Sequence, residues 1–171
     1  MCRVFLIVMG CCGMLAAQQS SKSNWSVQEV RVGTLHEIVT DMRTLTPDAG
    51  STVVGVKALV RSANADRLLI RTGQVFLQTS QGAKSELAAV GVVNKTGACT
   101  YQLTRGLVSG FVSVSAAGNG FKLGRKTDGE PLGITMEKNP ETLCFAFIVA
   151  ESVNGGITLH VEDTTAPVRL P

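Results

Sequence analysis

The sequence predicts an all-β chain built as one antiparallel β-sandwich, and three observations carry that reading. Apolar residues recur with a period of two rather than 3.6, and short apolar runs are closed by Gly, Asn, Asp and Ser at about 8- to 12-residue intervals. The composition, 44% hydrophobic against 17% charged, is that of a chain with a real core and not of a disordered one. A length of 171 residues fits one domain. The formal charge of +3, without a long Lys/Arg run, gives no electrostatic footprint for nucleic acid.

Residues 1–17 read as a signal peptide. Arg3 precedes an apolar stretch from Val4 to Ala17, which gives way at once to Gln18 and a polar leader over 18–24. That stretch is shorter than the roughly 20 residues of a membrane-spanning helix. Cleavage after Ala17 fits best, although Leu15 is bulky for its position. Val8-Met9-Gly10-Cys11 resembles the lipobox of bacterial lipoproteins, which makes Cys11 a candidate lipidation position and a membrane tether the alternative to release. Simple cleavage removes Cys2, Cys11 and Cys12 and leaves Cys99 and Cys144. In an oxidising compartment these two are expected to form a disulfide.

From Trp25 onward the pattern is strand and turn. Val54, Val56, Ala58 and Val60 share one parity of a strand, while Val53, Gly55, Lys57, Leu59 and Arg61 share the other. Asn64-Ala65-Asp66 turns the chain into Arg67–Arg71, and Gln74–Gln78 and Leu87–Val93 supply further strands. Phe111–Ser115 is expected to meet Phe121–Leu123 across Gly118-Asn119-Gly120. Leu132, Ile134 and Met136 alternate, as do Leu143, Phe145, Phe147 and Val149, so Cys144 should point away from the core that those residues enter. A hairpin at Asn154–Gly156 then leads to Ile157, Leu159 and Val161 facing inward, with Thr158, His160 and Glu162 facing water. Residues 34–45 are ambiguous. Thr34 and Glu37 fit a helix capping box, whereas Val39, Thr40 and Thr44 prefer strands, and the β surroundings favour strand or irregular structure. The expected sandwich covers 25–163 with roughly seven to nine strands, followed by a flexible tail over 164–171.

The layout from Trp25 to Glu162 resembles the immunoglobulin-like sandwiches of small bacterial secreted proteins and lipoproteins. The segments that carry the resemblance are Gly50–Val60, Leu143–Val149 and Ile157–Val161. The Cys and Trp spacing of antibody-type domains is absent, since Trp25 precedes both retained cysteines. The resemblance implies an envelope or extracellular binding or accessory module and transfers no catalytic residue.

The chemistry-bearing residues are sparse. There are two histidines, His36 and His160, and no Gly-x-Ser-x-Gly elbow. His160 and Glu162 have the same-face spacing that a metal can use, with His36 as a third ligand only if folding brings it there. Met42 and Met136 fall at apolar-periodic positions and read as core rather than soft copper ligands. Lys57, Arg61, Arg67 and Arg71 form a candidate basic surface patch on successive strands, for an anionic polymer or headgroup, with edge protection as the plainer reading. Asn24-Trp25-Ser26 and Asn94-Lys95-Thr96 fit the glycosylation sequon. The expectation is therefore an exported module, periplasmic or extracellular, that is not an enzyme and needs no cofactor. It binds or supports another envelope or extracellular protein or polymer. A periplasmic metal-handling protein using His160 and Glu162 is the alternative.

Overall fold

The structure is a computed structural model that describes residues 23–40, 43–105, 110–125, 127, 129–151 and 156–170. The expected signal peptide with Cys11, most of the leader and Met42 lie outside the described residues. The described chain is all β and antiparallel, as the period of two requires, with fourteen strands where about seven to nine were expected. The excess comes from the short strands that flank the long ones.

Eight strands make the larger sheet. β1 (Trp25–Leu35), β4 (Ser51–Ser62), β12 (Glu141–Ala150), β7 (Lys84–Val93), β6 (Val75–Thr79), β13 (Ile157–Val161) and β14 (Thr164–Val168) follow one another in hydrogen-bonded order, and β8 (Cys99–Leu103) pairs with β7. A smaller sheet has the order β5 (Leu69–Arg71), β11 (Gly133–Met136), β10 (Asn119–Arg125) and β9 (Gly110–Ala116). The ambiguous 34–45 stretch resolves into the end of β1 and a two-stranded ribbon of β2 (Ile38–Val39) and β3 (Thr44–Leu45).

One apolar core joins the two sheets, an arrangement consistent with a β-sandwich. Val54, Val56, Leu143, Phe145 and Phe147 from the larger sheet pack in the same cluster as Ile70, Phe121, Leu123, Ile134 and Met136 from the smaller. Each buried phenylalanine stabilises by about 2–3 kcal/mol relative to exposure. The opposite parity of the larger sheet carries a second cluster, with Val53, Ala89 and Ala146 covered by Ile38, Leu45, Tyr101 and Leu103. The two-strand ribbon and β8 therefore seal the outer face of β4, β12 and β7.

Small residues make that covering possible. Gly55, Ala146 and Ala89 are cross-strand partners, as are Cys144 and Gly91. A Cβ at Gly91 would collide with the carbonyl oxygen of Thr100, and one at Gly55 would sit 3.3 Å from the Tyr101 hydroxyl. β8 thus folds back over the face of the sheet into the space those side chains leave empty. Phe121 and Leu123, on the other side of the core, have no such gap and are fully buried.

Three expectations about connections change. The β9–β10 hairpin turns on Ala117 and Gly118, whose φ values are 51° and 80°, while Asn119 and Gly120 are already in β10. Two successive positive φ angles are the two-residue turn that suits strand twist, and Ala117 accepts one of them beside a glycine. The connection after β12 is not a hairpin, because β12 pairs with β4 and β7 whereas β13 pairs with β6 and β14; its Asn154 and Gly155 lie outside the described residues. The expected flexible tail over 164–171 contains β14, whose Ala166 and Val168 are buried. Pro167 has no N–H to give a ladder, and the terminal strand of the path is where a sheet tolerates that loss. A break in register between Gln28 and Arg31 bends β1, and the larger sheet curls until β1 and β14, its two ends, pack together.

Candidate functional site

The curl and the smaller sheet leave a cavity of about 520 Å³ between them, within the usual size of a small-molecule site. Its apolar lining is Val75, Phe76, Leu87 and Leu132. Cations reach it from three places: Lys84 at the start of β7, Arg105 just past β8 and Arg125 at the end of β10. Glu86 is the acidic residue of the lining. It approaches Arg105 at 3.8 Å with both side chains more than four-fifths exposed, a pair worth little in water. Arg43, outside the lining, donates from Nη2 to the Arg105 carbonyl oxygen at 2.8 Å.

The cavity wall is held rigidly. Thr104 Oγ1 donates to the carbonyl oxygens of Leu87 and Ala88, at 2.7 and 2.9 Å, and Thr72 Oγ1 donates to that of Leu132 at 3.0 Å. Phe76 stacks on its cross-strand partner His160, with ring centroids 4.3 Å apart and planes within 12°. The Lys84 ammonium lies 4.4 Å from the centre of the same Phe76 ring, a cation–π contact. Burial first, and then the Lys84 charge, pull the His160 pKa below its ordinary 6.5, so the imidazole is neutral at pH 7.

The sequence-predicted residues are distributed differently. Cys99 and Cys144 are bonded, with Cα atoms 6.2 Å apart, and Cys144 lies on the face opposite Leu143, Phe145 and Phe147 as its parity requires. The bond pins β8 beside Ala146 and Ile148, the residues expected beneath it. His160 and Glu162 do not share a water-facing site. Glu162 follows β13 with φ at 52°, its side chain is 5% exposed, and its carboxylate accepts the Arg71 backbone N–H and guanidinium. The expectation that it faces water is thus corrected: an inward turn of the backbone delivers it to Arg71. His36 is exposed beside β2, and among the described residues no group of three His, Cys, Asp or Glu side chains comes together as a metal site would need.

The basic patch is divided. Lys57 and Arg61 lie on the outer face of β4, with Lys57 Nζ donating to the Gly97 carbonyl oxygen at 2.6 Å. Arg67 and Arg71 instead line a smaller cleft of about 180 Å³ with Glu162 and Asp163. The turn at Asn64 carries the chain from one sheet to the other, so strands adjacent in sequence do not share a face. Of the sequons, Asn24 Nδ2 donates to Asp163 at 3.1 Å, and Asn94 Oδ1 accepts from Thr96 Oγ1 at 2.7 Å.

Sequence reasoning missed the 520 Å³ cavity altogether. Lys84, Arg105 and Arg125 are about 20 residues apart along the chain and come from both sheets, so neither motif nor periodicity marks them. A weak signal existed in Lys84, an exposed charge just before the apolar run Leu87–Val93. Compared with known proteins, the chain matches no protein family, no curated protein and no solved structure.

Proposed function

We propose that this chain is an exported, non-enzymatic module of immunoglobulin-like β-sandwich architecture that binds another envelope or extracellular component through the 520 Å³ groove. The observation that carries the reading is the convergence of Lys84, Arg105 and Arg125 on one apolar-floored cavity whose walls belong to two hydrogen-bonded sheets, the larger of them carrying the Cys99–Cys144 bond. A rigid wall with charged side chains at its rim suits recognition, because few groups lose freedom on binding. Export is supported by the Cys99–Cys144 bond, which an oxidising compartment maintains, and by the signal-like residues 1–17. The two-layer core supports the immunoglobulin-like reading, although the strand number exceeds that of the simplest such domains.

The test is capture from the envelope fraction of the native host with the purified mature protein, comparing wild type with the Lys84→Glu, Arg105→Glu double variant. Both side chains are exposed, so the variant should fold. The reading expects a specifically retained component that the double variant loses; equal retention by both proteins overturns it. The metal-handling alternative rests on His160, since Glu162 is engaged with Arg71. Zinc or copper titration by calorimetry supports that alternative if micromolar binding disappears in His160→Ala.

A further inference from the structure

We propose that the free edge of β9 pairs with β9 of a second copy of this chain, joining the two smaller sheets into one. The larger and smaller sheet paths end on β1, β14, β5 and β9. Three of these carry a device that blocks further pairing. β1 has the register break between Gln28 and Arg31, β14 has Pro167, and β5 is three residues long with its Arg71 N–H taken by Glu162. β9 has none: Gly110–Ala116 runs in unbroken register with β10 and contains neither a charged residue nor a proline. Of the four large apolar side chains exposed among the described residues, Phe111 at 51% and Val112 at 36% lie on this strand. The proposal stands apart from the groove, whose lining includes no residue of β9.

The register of the β9–β10 hairpin decides what the edge offers. Ala116 and Asn119 flank the two-residue turn as a hydrogen-bonded pair, so Val114 and Val112 also spend their backbone groups on β10. Phe111, Ser113 and Ser115 point their N–H and C=O groups the other way, where no strand among the described residues receives them. The Phe111 ring leans inward over Gly124, where a Cβ would sit 2.7 Å from it, and leaves the edge clear. An antiparallel copy centred on Ser113 sets Ser113 opposite the partner's Ser113 and Phe111 opposite the partner's Ser115. All six outward groups of each copy then find partners. On the inward side Val112 meets the partner's Val114, and the reverse, which covers the exposed Val112. The two Lys122 side chains, beside Ser113 on β10, stay three strand spacings apart, roughly 14 Å and beyond the screening length. This match selects a second copy over an unrelated extended peptide, because the edge is complementary to itself in bonds, side chains and charge.

The test is sedimentation velocity of the mature protein, disulfide intact, from micromolar to millimolar concentration. A reversible monomer–dimer equilibrium is expected. Ser113→Pro removes an N–H that β10 does not use, so the fold is kept and the dimer weakens by about tenfold or more through two lost hydrogen bonds. Ser113→Lys, which sets two ammonium groups against each other across the axis, should weaken it likewise. Circular dichroism and the thermal midpoint check that both variants fold. Cysteine cross-linking reads the register separately, whatever those two variants do to folding. The Cα atoms of a hydrogen-bonded pair lie about 5.5 Å apart, so Ser113→Cys should form an intermolecular disulfide under mild oxidation. Ser115→Cys, opposite the partner's Phe111, should not. A monomer at every concentration, a dimer that the folded Ser113 variants leave intact, or equal cross-linking at the two positions overturns the proposal. Capture of an unrelated extended peptide by a monomeric protein, lost in Ser113→Pro, overturns the second copy as the occupant.

Discussion

Glu162 accepts the backbone N–H of Arg71 at 2.6 Å on one carboxylate oxygen and its guanidinium at 2.7 Å on the other, tying the end of β13 in the larger sheet to β5 in the smaller. Most of the seam between the sheets is apolar, with Asn119 Nδ2 of β10 donating to the Val93 carbonyl oxygen of β7 at 3.5 Å elsewhere along it, so the Glu162–Arg71 pair is a directional clamp on their alignment. Removing the carboxylate leaves the Arg71 N–H and guanidinium without their acceptor. Glu162→Ala should lower the thermal midpoint by roughly 4 °C or more, and Glu162→Gln, which keeps one acceptor, by less. Equal midpoints for wild type and both variants would show that the clamp does not align the sheets.

The Cys99–Cys144 bond closes a loop with a sequence separation of 45. Chain entropy assigns such a closure up to about 4 kcal/mol of stability. The double variant Cys99→Ser, Cys144→Ser should unfold at lower urea concentration with little change in the slope of the transition. Peptide mapping of the exported protein without reductant should recover the two cysteines as one linked pair. Recovery of two alkylatable thiols contradicts both the linkage and the export reading.

Tyr101 is the sole tyrosine of the chain, so absorbance at alkaline pH reads it alone. Burial of the Tyr101 side chain against the outer face of the larger sheet pushes its phenol up to about 12 from the ordinary 10. The native state then holds a proton that the unfolded state releases, and stability falls as pH rises from 10 to 12, by on the order of 2 kcal/mol. A phenolate transition near pH 10 in the folded protein would mean that β8 does not cover the outer face.

How much of this was legible in the sequence depends on whether a residue's partners share its strand. The inward set Leu143, Phe145, Phe147 and Val149, and the outward Cys144, follow from parity within one strand and stand as expected. β14 was hidden because Pro167 breaks the usual composition, yet Ala166 and Val168 alternate with Thr165 and Pro167 in the burial of a strand. Gly91 was legible only as a residue of an apolar run, since the collision that excludes a side chain there comes from Thr100 on another strand. The groove and the division of the basic residues were illegible for the same reason: both depend on which sheet a strand joins.

Glu141 begins β12 on its inward parity and is 1% exposed, and neither carboxylate oxygen has a well-formed hydrogen bond. Burial holds its pKa above the usual 4.5, offset in part by the nearby backbone N–H groups of Gly120 and Thr142 and by Lys138, while Glu137 adds to the rise. Because the folded state keeps the proton longer than the unfolded one, the contribution is favourable below the unfolded pKa and is lost as pH rises through the folded value. Glu141→Gln should remove that part of the pH dependence and be at least as stable as wild type at pH 7. A variant markedly less stable at pH 7 would mean that the ionised carboxylate is well solvated or paired.

The central claim is that the groove is the surface this module presents to its partner. Hydrogen–deuterium exchange of the protein, alone and with the retained envelope component bound, tests it most directly. The account predicts new protection concentrated in Val75–Leu87 and at Thr104 and Arg105, with the outer face of β4 around Lys57 and Arg61 unchanged. Protection confined to Lys57 and Arg61, or spread evenly over both sheets, would contradict it.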